Sequence, residues 1–323
     1  MKSFEYAAPK TLKEATTLLG EKWGETEILA GGTDLVTSLK QHIASPARLV
    51  SLRNIADLKG IEIETKSVRV GAMTTLGELA ENKAIKEHFR SLVTAAQSVG
   101  SPQLLSVGTV GGDLCQRPRC WYFRNGLGST AKERATLVRD GDNRYHAIFA
   151  TDGPALFVSA SSLGPALIAL DATLVVVGPK DKKRKVSAAE FFHTPKDENE
   201  RETALKPNEI LAEIEIPLRG LRNGTYEVRH RHGLDWPYVT ASVAFESKAG
   251  MASGARVVLG HVASVPWMAS AAAKALNGAR ADQASAAKCG DAATQGAKPL
   301  GKNGYKVQLV KAAVKRAVLA APA

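Results

Sequence analysis

The sequence predicts an α+β fold in two parts, and three observations carry that prediction. Short apolar strands alternate with helical patterns through the first half, and a run of strands followed by alanine-rich helices fills the end. At 323 residues, 44% hydrophobic and 23% charged, the chain is too large for one simple core and ordinary for two or three modest domains.

Taken in order, "TLKEATTLLG" (11–20) carries apolar positions at helical spacing and stops on Gly20. "TEILAGGTDLVTSLKQ" runs from a short strand through Gly31 and Gly32 into a second helix. "ARLVSL" and "VRVGAMT" read as strands, "LGELAENKAIKEHF" and "SLVTAAQSVG" as helices. Residues 115–160, rich in Arg, Gly, Asp and Asn, break this rhythm as a long loop insertion, a kind of segment that is usually functional or disordered. A helix in "SSLGPALIALDA" leads to strands "TLVVVG", "ILAEIEIP" and "TYEVRHRH", with a mobile polar stretch near "TPKDENERET" (194–203) among them. "YVTASVAFES" and "ARVVLGHVASVPWMA" form an antiparallel hairpin, and helices follow from "ASAAAKALNG" to "YKVQLVKAAVKRAVLA". The expected division is a domain over 1–217, with subdomains about 1–55 and 56–217, and a smaller α+β domain over 218–323. No internal repeat is visible.

Charge and composition exclude several classes. The net charge of +11 invites a nucleic-acid partner, but Lys and Arg are scattered and aromatics are only 6%, so no basic groove interleaved with stacking residues is expected. The dense run "PKDKKRKV" (179–186) sits between "TLVVVG" and "VSAAEFF" and reads as a charged hairpin tip. No apolar run approaches the ~20 residues that span a bilayer, and "MKSFEYAAPK" has no apolar signal core. Three cysteines, two close together and Cys289 remote, make no disulfide framework and suit a reducing cytoplasm.

Two glycine pairs carry the chemistry. In "LAGGTDL" the glycines stand where a strand feeds a helix, so the backbone can approach a ligand and successive N–H groups can cradle phosphate oxygens. In "GTVGGDL" Thr109 offers a hydroxyl, and Gly111 and Gly112 are expected to offer exposed N–H groups. Two such loops in one domain suggest the two phosphates of a dinucleotide held from both sides. There is no Gly-Lys-Ser/Thr and no GxGxxG, which excludes a Walker loop and disfavours a Rossmann domain. No Ser/His/Asp or metalloprotease pattern occurs.

With "FEYAAPKTLKEA", "ILAGGTDL", "GSPQLLSVGTVGGDL", "SSLGPALIALDA", "LKPNEILAEIEIP" and "YEVRHRHGLDWPYVTASVA" in that order, the chain resembles the FAD-binding medium subunit of the molybdenum hydroxylases, the xanthine dehydrogenase and carbon monoxide dehydrogenase group. The resemblance covers nearly the whole chain. It implies a FAD-binding domain of the vanillyl-alcohol-oxidase-like (PCMH) type followed by a smaller α+β domain. It also implies that Leu29, Ala30, Gly31, Gly32, Thr33 and Asp34 wrap one side of the FAD pyrophosphate, and Thr109, Val110, Gly111, Gly112 and Asp113 the other. Gly100 and Ser101 would lie by the flavin or its ribityl chain, and Ile210 and Leu211 near the adenine or the isoalloxazine edge. Three positions depart from the family pattern: Ser162 for a usual Asp, Glu227 for a frequent Lys, and Asp113 for the common Asn. A carboxylate at 113 would be repelled by a diphosphate unless it turns away or accepts N–H groups.

Some relatives hold a 4Fe-4S cluster in an insertion at this point. Here the insertion offers two thiolates, Cys115 and Cys120, with His146 as a conceivable third ligand, and no metal site is expected. The implied function is the electron-transfer flavoprotein subunit of an oxidoreductase whose partners are a molybdopterin-binding large subunit and a 2Fe-2S small subunit, with NAD+ or another carrier as acceptor. No residue of this chain needs to act as nucleophile or base. The alternatives are a free-standing flavin oxidoreductase and a scaffold without flavin.

Overall fold

Alternating apolar side chains set the strands, and the computed structural model, which describes residues 1–130, 137–231 and 235–321, gathers them into three sheets. Part of the insertion (131–136) and of the "YEVRHRHGLDWPYVTASVA" stretch (232–234) therefore lies outside the described residues.

The first sheet is parallel, in the order β1 (Glu5–Ala7), β3 (Arg48–Ser51), β2 (Thr26–Leu29). The helix Leu12–Leu18 joins β1 to β2 and is started by Thr11, whose hydroxyl accepts from Glu14 N at 3.2 Å. β2, the turn Ala30–Asp34 and the helix Leu35–Lys40 lead to β3, so the first glycine pair sits beyond the carboxyl end of a parallel strand, where α/β sheets bind ligands.

The second sheet is antiparallel, in the order β4 (Ile61–Ile63), β5 (Ser67–Gly71), β8 (Ile210–Pro217), β6 (Thr173–Gly178), β7 (Lys182–Ser187). Leu174, Val176, Ile214 and Ile216 point to one face, where the helices Leu76–Glu81, Arg90–Gln97 and Leu163–Ala169 cover them through Leu79, Leu92, Leu163 and Leu167. Val50, Ile55, Leu58, Val177 and Ile210 fill a smaller core that joins this sheet to the first. The predicted long helix of "LGELAENKAIKEHF" is two helices, because the Asn82 side chain accepts from Ala84 N and Ile85 N and starts a new one. "PKDKKRKV" divides into a tip, Pro179–Asp181, and the returning strand β7, whose lysines charge the edge of the sheet. The stretch near 194–203 is tied down: Glu198 accepts from Ser129 N and Thr130 N, and Glu200 from Lys196 N.

The third sheet runs β12 (Trp267–Met268), β11 (Met251–Gly260), β10 (Val239–Lys248), β9 (Arg222–Val228), all antiparallel, backed by the helices Ser270–Leu276, Gln283–Ala292 and Lys306–Ala320. Its core of Val243, Phe245, Val257, Val310 and Val314 also takes in Ile148 and Phe149, whose N–H groups both donate to Val262 O, at 2.8 and 3.1 Å. The second half of the insertion is thus built into the C-terminal layer. Among the described residues no helix is long and apolar enough to cross a membrane.

Candidate functional site

The first glycine turn is held open by a tight backbone contact. A Cβ on Gly31 would lie 1.9 Å from Val107 O, so only glycine fits there, and Gly32 has φ +77°, a left-handed conformation costly for any other residue. The N–H groups of Gly31, Gly32, Thr33 and Asp34 donate to no other group among the described residues. Four successive free donors leading into a helix can serve as hydrogen-bond partners for an anion.

The second glycine pair differs from expectation. Gly111 and Gly112 lie in the first turn of the helix Val110–Cys115, capped by Thr109, and their N–H groups are already used. Val110 N donates to Thr74 O at 2.9 Å, Gly111 N to Ala72 O at 2.8 Å, and Gly112 N to Thr109 Oγ1 at 3.0 Å. What this pair contributes is therefore space. A Cβ on Gly111 would meet the Ala72 Cβ at 2.9 Å, which sets the helix close against the end of β5, while Gly112 leaves room at the cleft.

Between the two turns runs a two-lobed cleft. The larger lobe, about 520 Å³, is walled by Ala30–Asp34, Thr109, Gly111, Gly112, Ile210 and Leu211, together with Trp23, Glu27, Arg201 and Glu202. The smaller, about 260 Å³, is walled by Ser98–Gly100, Asp113, Ser162, Arg119, Arg229 and Trp236. Thr33, Asp34, Thr109, Gly112 and Gln116 belong to both and form the waist. Of the residues expected here, Leu29, Ser101 and Val110 do not line it: Leu29 ends β2, Val110 is buried behind the waist, and Ser101 caps the helix Pro102–Val107.

Sequence reasoning missed the arginines. Arg124 Nη2 donates to Asp34 Oδ1 at 2.7 Å, Arg117 N donates to Asp34 Oδ2 at 2.8 Å, and Arg119 Nη1 stands 3.2 Å from Asp34 Oδ1. Arg117 Nε faces Glu202 Oε2 at 2.8 Å. The signal was the three arginines in "QRPRCWYFR", all within residues 117–124.

Each departure from the family pattern has a local answer. Asp113 turns away from the waist: Oδ2 accepts from Ser161 Oγ at 2.6 Å and Leu163 N at 3.0 Å, and Oδ1 from Gln116 Nε2 at 3.1 Å and Ser162 N at 3.3 Å. The carboxylate usual at 162 thus stands at 113 and caps the helix Leu163–Ala169 from outside. Burial pushes its pKa up to about 6, against the hydrogen bonds of Ser161, Leu163 and Ser162, which pull it down. The folded chain therefore holds this proton more tightly than the unfolded one, a stabilisation present below pH 3.8 and lost as pH rises through about 6. Relative to Asp113→Asn, the wild-type chain should lose stability between those values, as measured by urea unfolding at a series of pH values. A difference that stays flat would contradict the burial argument. The Glu227 side chain is buried and pairs with Arg229, just past the end of β9, in the wall of the smaller lobe.

The cysteines stay apart in role. Cys115 lines the larger lobe, and burial, with Asp113 nearby, pushes its thiol up to about 12. Cys120 Sγ lies 3.1 Å from His146 Nε2, a ring pulled down to about 4 by burial and Lys306, so a neutral thiol faces a neutral imidazole. Cys289 is buried in the C-terminal layer against Ala272 O. Among the described residues no three His, Cys, Asp or Glu side chains are grouped to hold a metal ion.

A parallel β-α-β unit, an antiparallel sheet and a C-terminal α+β layer surround this cleft. Residues 2–219 match the model of the FAD binding domain in molybdopterin dehydrogenase, and residues 224–321 that of the CO dehydrogenase flavoprotein C-terminal domain; the chain belongs to this family of FAD-binding oxidoreductase subunits. It is 29% identical over 317 residues to the aldehyde oxidoreductase FAD-binding subunit of Escherichia coli K12, covering 96% of each chain. It is 28% identical over 323 residues to the carbon monoxide dehydrogenase medium chain of Hydrogenophaga pseudoflava, covering 98% of this chain and 96% of that one. Among solved structures, a carbon monoxide dehydrogenase chain from Hydrogenophaga pseudoflava superposes with a TM-score of 0.76 at 27% identity, over 99% of this chain and 97% of that one. Quinoline 2-oxidoreductase from Pseudomonas putida 86 superposes with a TM-score of 0.77 at 25% identity, over 99% and 98%.

Proposed function

We propose that this chain is the electron-transfer flavoprotein subunit of a molybdenum hydroxylase, with FAD in the two-lobed cleft and its diphosphate at the waist. The observation that carries this reading is the row of free N–H groups from Gly31 to Asp34, set where both lobes meet. Bound FAD would supply two-electron storage between the 2Fe-2S clusters of a small subunit, fed by substrate oxidation at a molybdopterin-binding large subunit, and NAD+ or another acceptor.

The chain's own residues bind, orient and exclude water. Gly31–Asp34 would donate backbone N–H groups to one side of the diphosphate, and Thr33 and Thr109 would offer hydroxyls at the waist. Gly111 and Gly112 act by lacking side chains. Ile210 and Leu211 form an apolar wall in the larger lobe, which suits the adenosine half, while Gly100, Arg229 and Trp236 surround the smaller lobe, which suits the flavin ring. In this reading residues 1–217 form the FAD-binding domain and 218–323 the C-terminal domain, with the 115–160 insertion bridging them. Three free cysteines support a reducing, cytoplasmic setting.

The test is flavin per chain after desalting of the full-length protein. Absorption bands near about 375 and 450 nm at close to one flavin per chain are expected. The chain alone should pass electrons from a reduced nicotinamide to an artificial dye without oxidising purines or aldehydes. A folded, colourless chain that takes up no added FAD would favour the scaffold reading, and molybdenum-independent substrate turnover would favour the free-standing enzyme.

A further inference from the structure

Beside the waist, in the wall of the smaller lobe, stands an arginine without a carboxylate of its own. Arg124 takes Asp34, Arg117 takes Glu202, and Arg229 takes Glu227. Arg119 shares Asp34 Oδ1 with Arg124 at 3.2 Å and makes one hydrogen bond, from Nη2 to Gln116 Oε1 at 3.0 Å. Its Nε is buried and meets no hydrogen-bond acceptor. A guanidinium carries five N–H donors, and a buried donor left unmet is costly, so this group is prepared for an acceptor that the protein itself does not supply.

Position says which acceptor. Arg119 lines the smaller lobe with the waist residues Thr33, Asp34, Thr109, Gly112 and Gln116, and its guanidinium packs 4.7 Å over the Trp236 ring, which fixes its plane. Burial pulls its pKa below the ordinary arginine value, a cost that a neighbouring anion would offset. Beside it the Asp34 carboxylate is already occupied by Arg124 and Arg117 N, so Asp34 presents its N–H rather than its charge to the cleft.

Resting on the flavoprotein reading above, we propose that Arg119 is a direct side-chain ligand of the cofactor's diphosphate, so that this insertion adds a charged contact to a cradle otherwise made of backbone. Guanidinium and backbone N–H groups would then hold the two phosphates together, and the grip would depend on ionic strength.

The experiment is titration calorimetry of the deflavinated full-length chain with FAD, ADP and adenosine, at low and high salt, for wild type, Arg119→Gln and Arg119→Lys. Arg119→Gln should weaken FAD and ADP by roughly 10- to 100-fold at low salt and less at high salt, with adenosine unchanged, and Arg119→Lys should fall between. Wild-type affinity for FAD and ADP in Arg119→Gln would overturn the inference, as would an equal, salt-independent loss for adenosine, which would mark a purely structural role against Trp236. Wild-type protein that binds neither FAD nor ADP would instead sink the flavoprotein reading itself. Thermal melting of each variant confirms that the comparison is between folded chains.

Discussion

A Gly31→Ala chain will purify without flavin and melt well below wild type. The added Cβ would sit 1.9 Å from Val107 O and 2.8 Å from its carbonyl carbon, both backbone atoms, so neither can rotate away. Either the first glycine turn or the end of the helix Pro102–Val107 must move, at about 3 kcal/mol, the upper part of the range for forced overpacking. Any such movement also displaces the N–H groups of Gly31 to Asp34. Gly112→Ala makes the informative contrast. Gly112 is helical, and its Cβ would meet only Thr109 Oγ1, at 2.9 Å, so the fold should survive with a small loss while the methyl intrudes on the waist. The measurements are flavin per chain and the thermal midpoint: Gly31→Ala should lose both, Gly112→Ala flavin alone. Full flavin retention in Gly31→Ala would remove the first turn from the site.

The contrast between the two glycine pairs also shows what the sequence could and could not carry. Both pairs read as loops with exposed donors, because Gly-Gly after an apolar run signals a turn in either place. Two different captures separate them: Gly112 N goes to Thr109 Oγ1, a local cap that the Thr in "GTVGGDL" could have announced, whereas Gly111 N goes to Ala72 O, just beyond β5, an acceptor that nothing in the motif announces. Strands with apolar alternation were legible, as in "TLVVVG" and "ILAEIEIP", whereas β1, β4 and β7 were not, being short or charged. The three arginines of the insertion were visible as letters, but their convergence on Asp34, more than eighty residues away in the chain, depends on long-range packing. Asp113 was flagged as a departure, and its resolution required the position of Ser161 and Leu163.

The same insertion underlies the largest stability effect expected away from the cleft, that of Lys306→Met. Lys306 begins the long C-terminal helix and is buried, with Nζ donating to Tyr145 O at 3.0 Å, His146 O at 3.1 Å and His261 O at 2.8 Å. Three ammonium hydrogens meet three carbonyls, and two of those carbonyls belong to the insertion. The contact is reinforced by Asn303 Nδ2, which donates to Ala147 O at 2.9 Å. Methionine matches the volume but offers no donor, so three buried acceptors lose a partner, at roughly 3 kcal/mol after partial rehydration. Burial also pulls the lysine down to about 7 from its ordinary 10.5. Between those values the unfolded chain keeps a proton that the folded chain releases, so the wild type should gain stability with rising pH across that window even though the neutral amine keeps only two hydrogens for the three carbonyls, and the methionine variant should lack this increment. Chemical unfolding of both chains from pH 7 to 10 reads the two effects together. Because residues 143–149 also carry His146 toward Cys120, loosening them should expose Cys120 to a thiol reagent sooner in Lys306→Met than in wild type. Equal stability and equal thiol labelling in the two chains would mean that the carbonyl cage does not hold the insertion to the C-terminal layer.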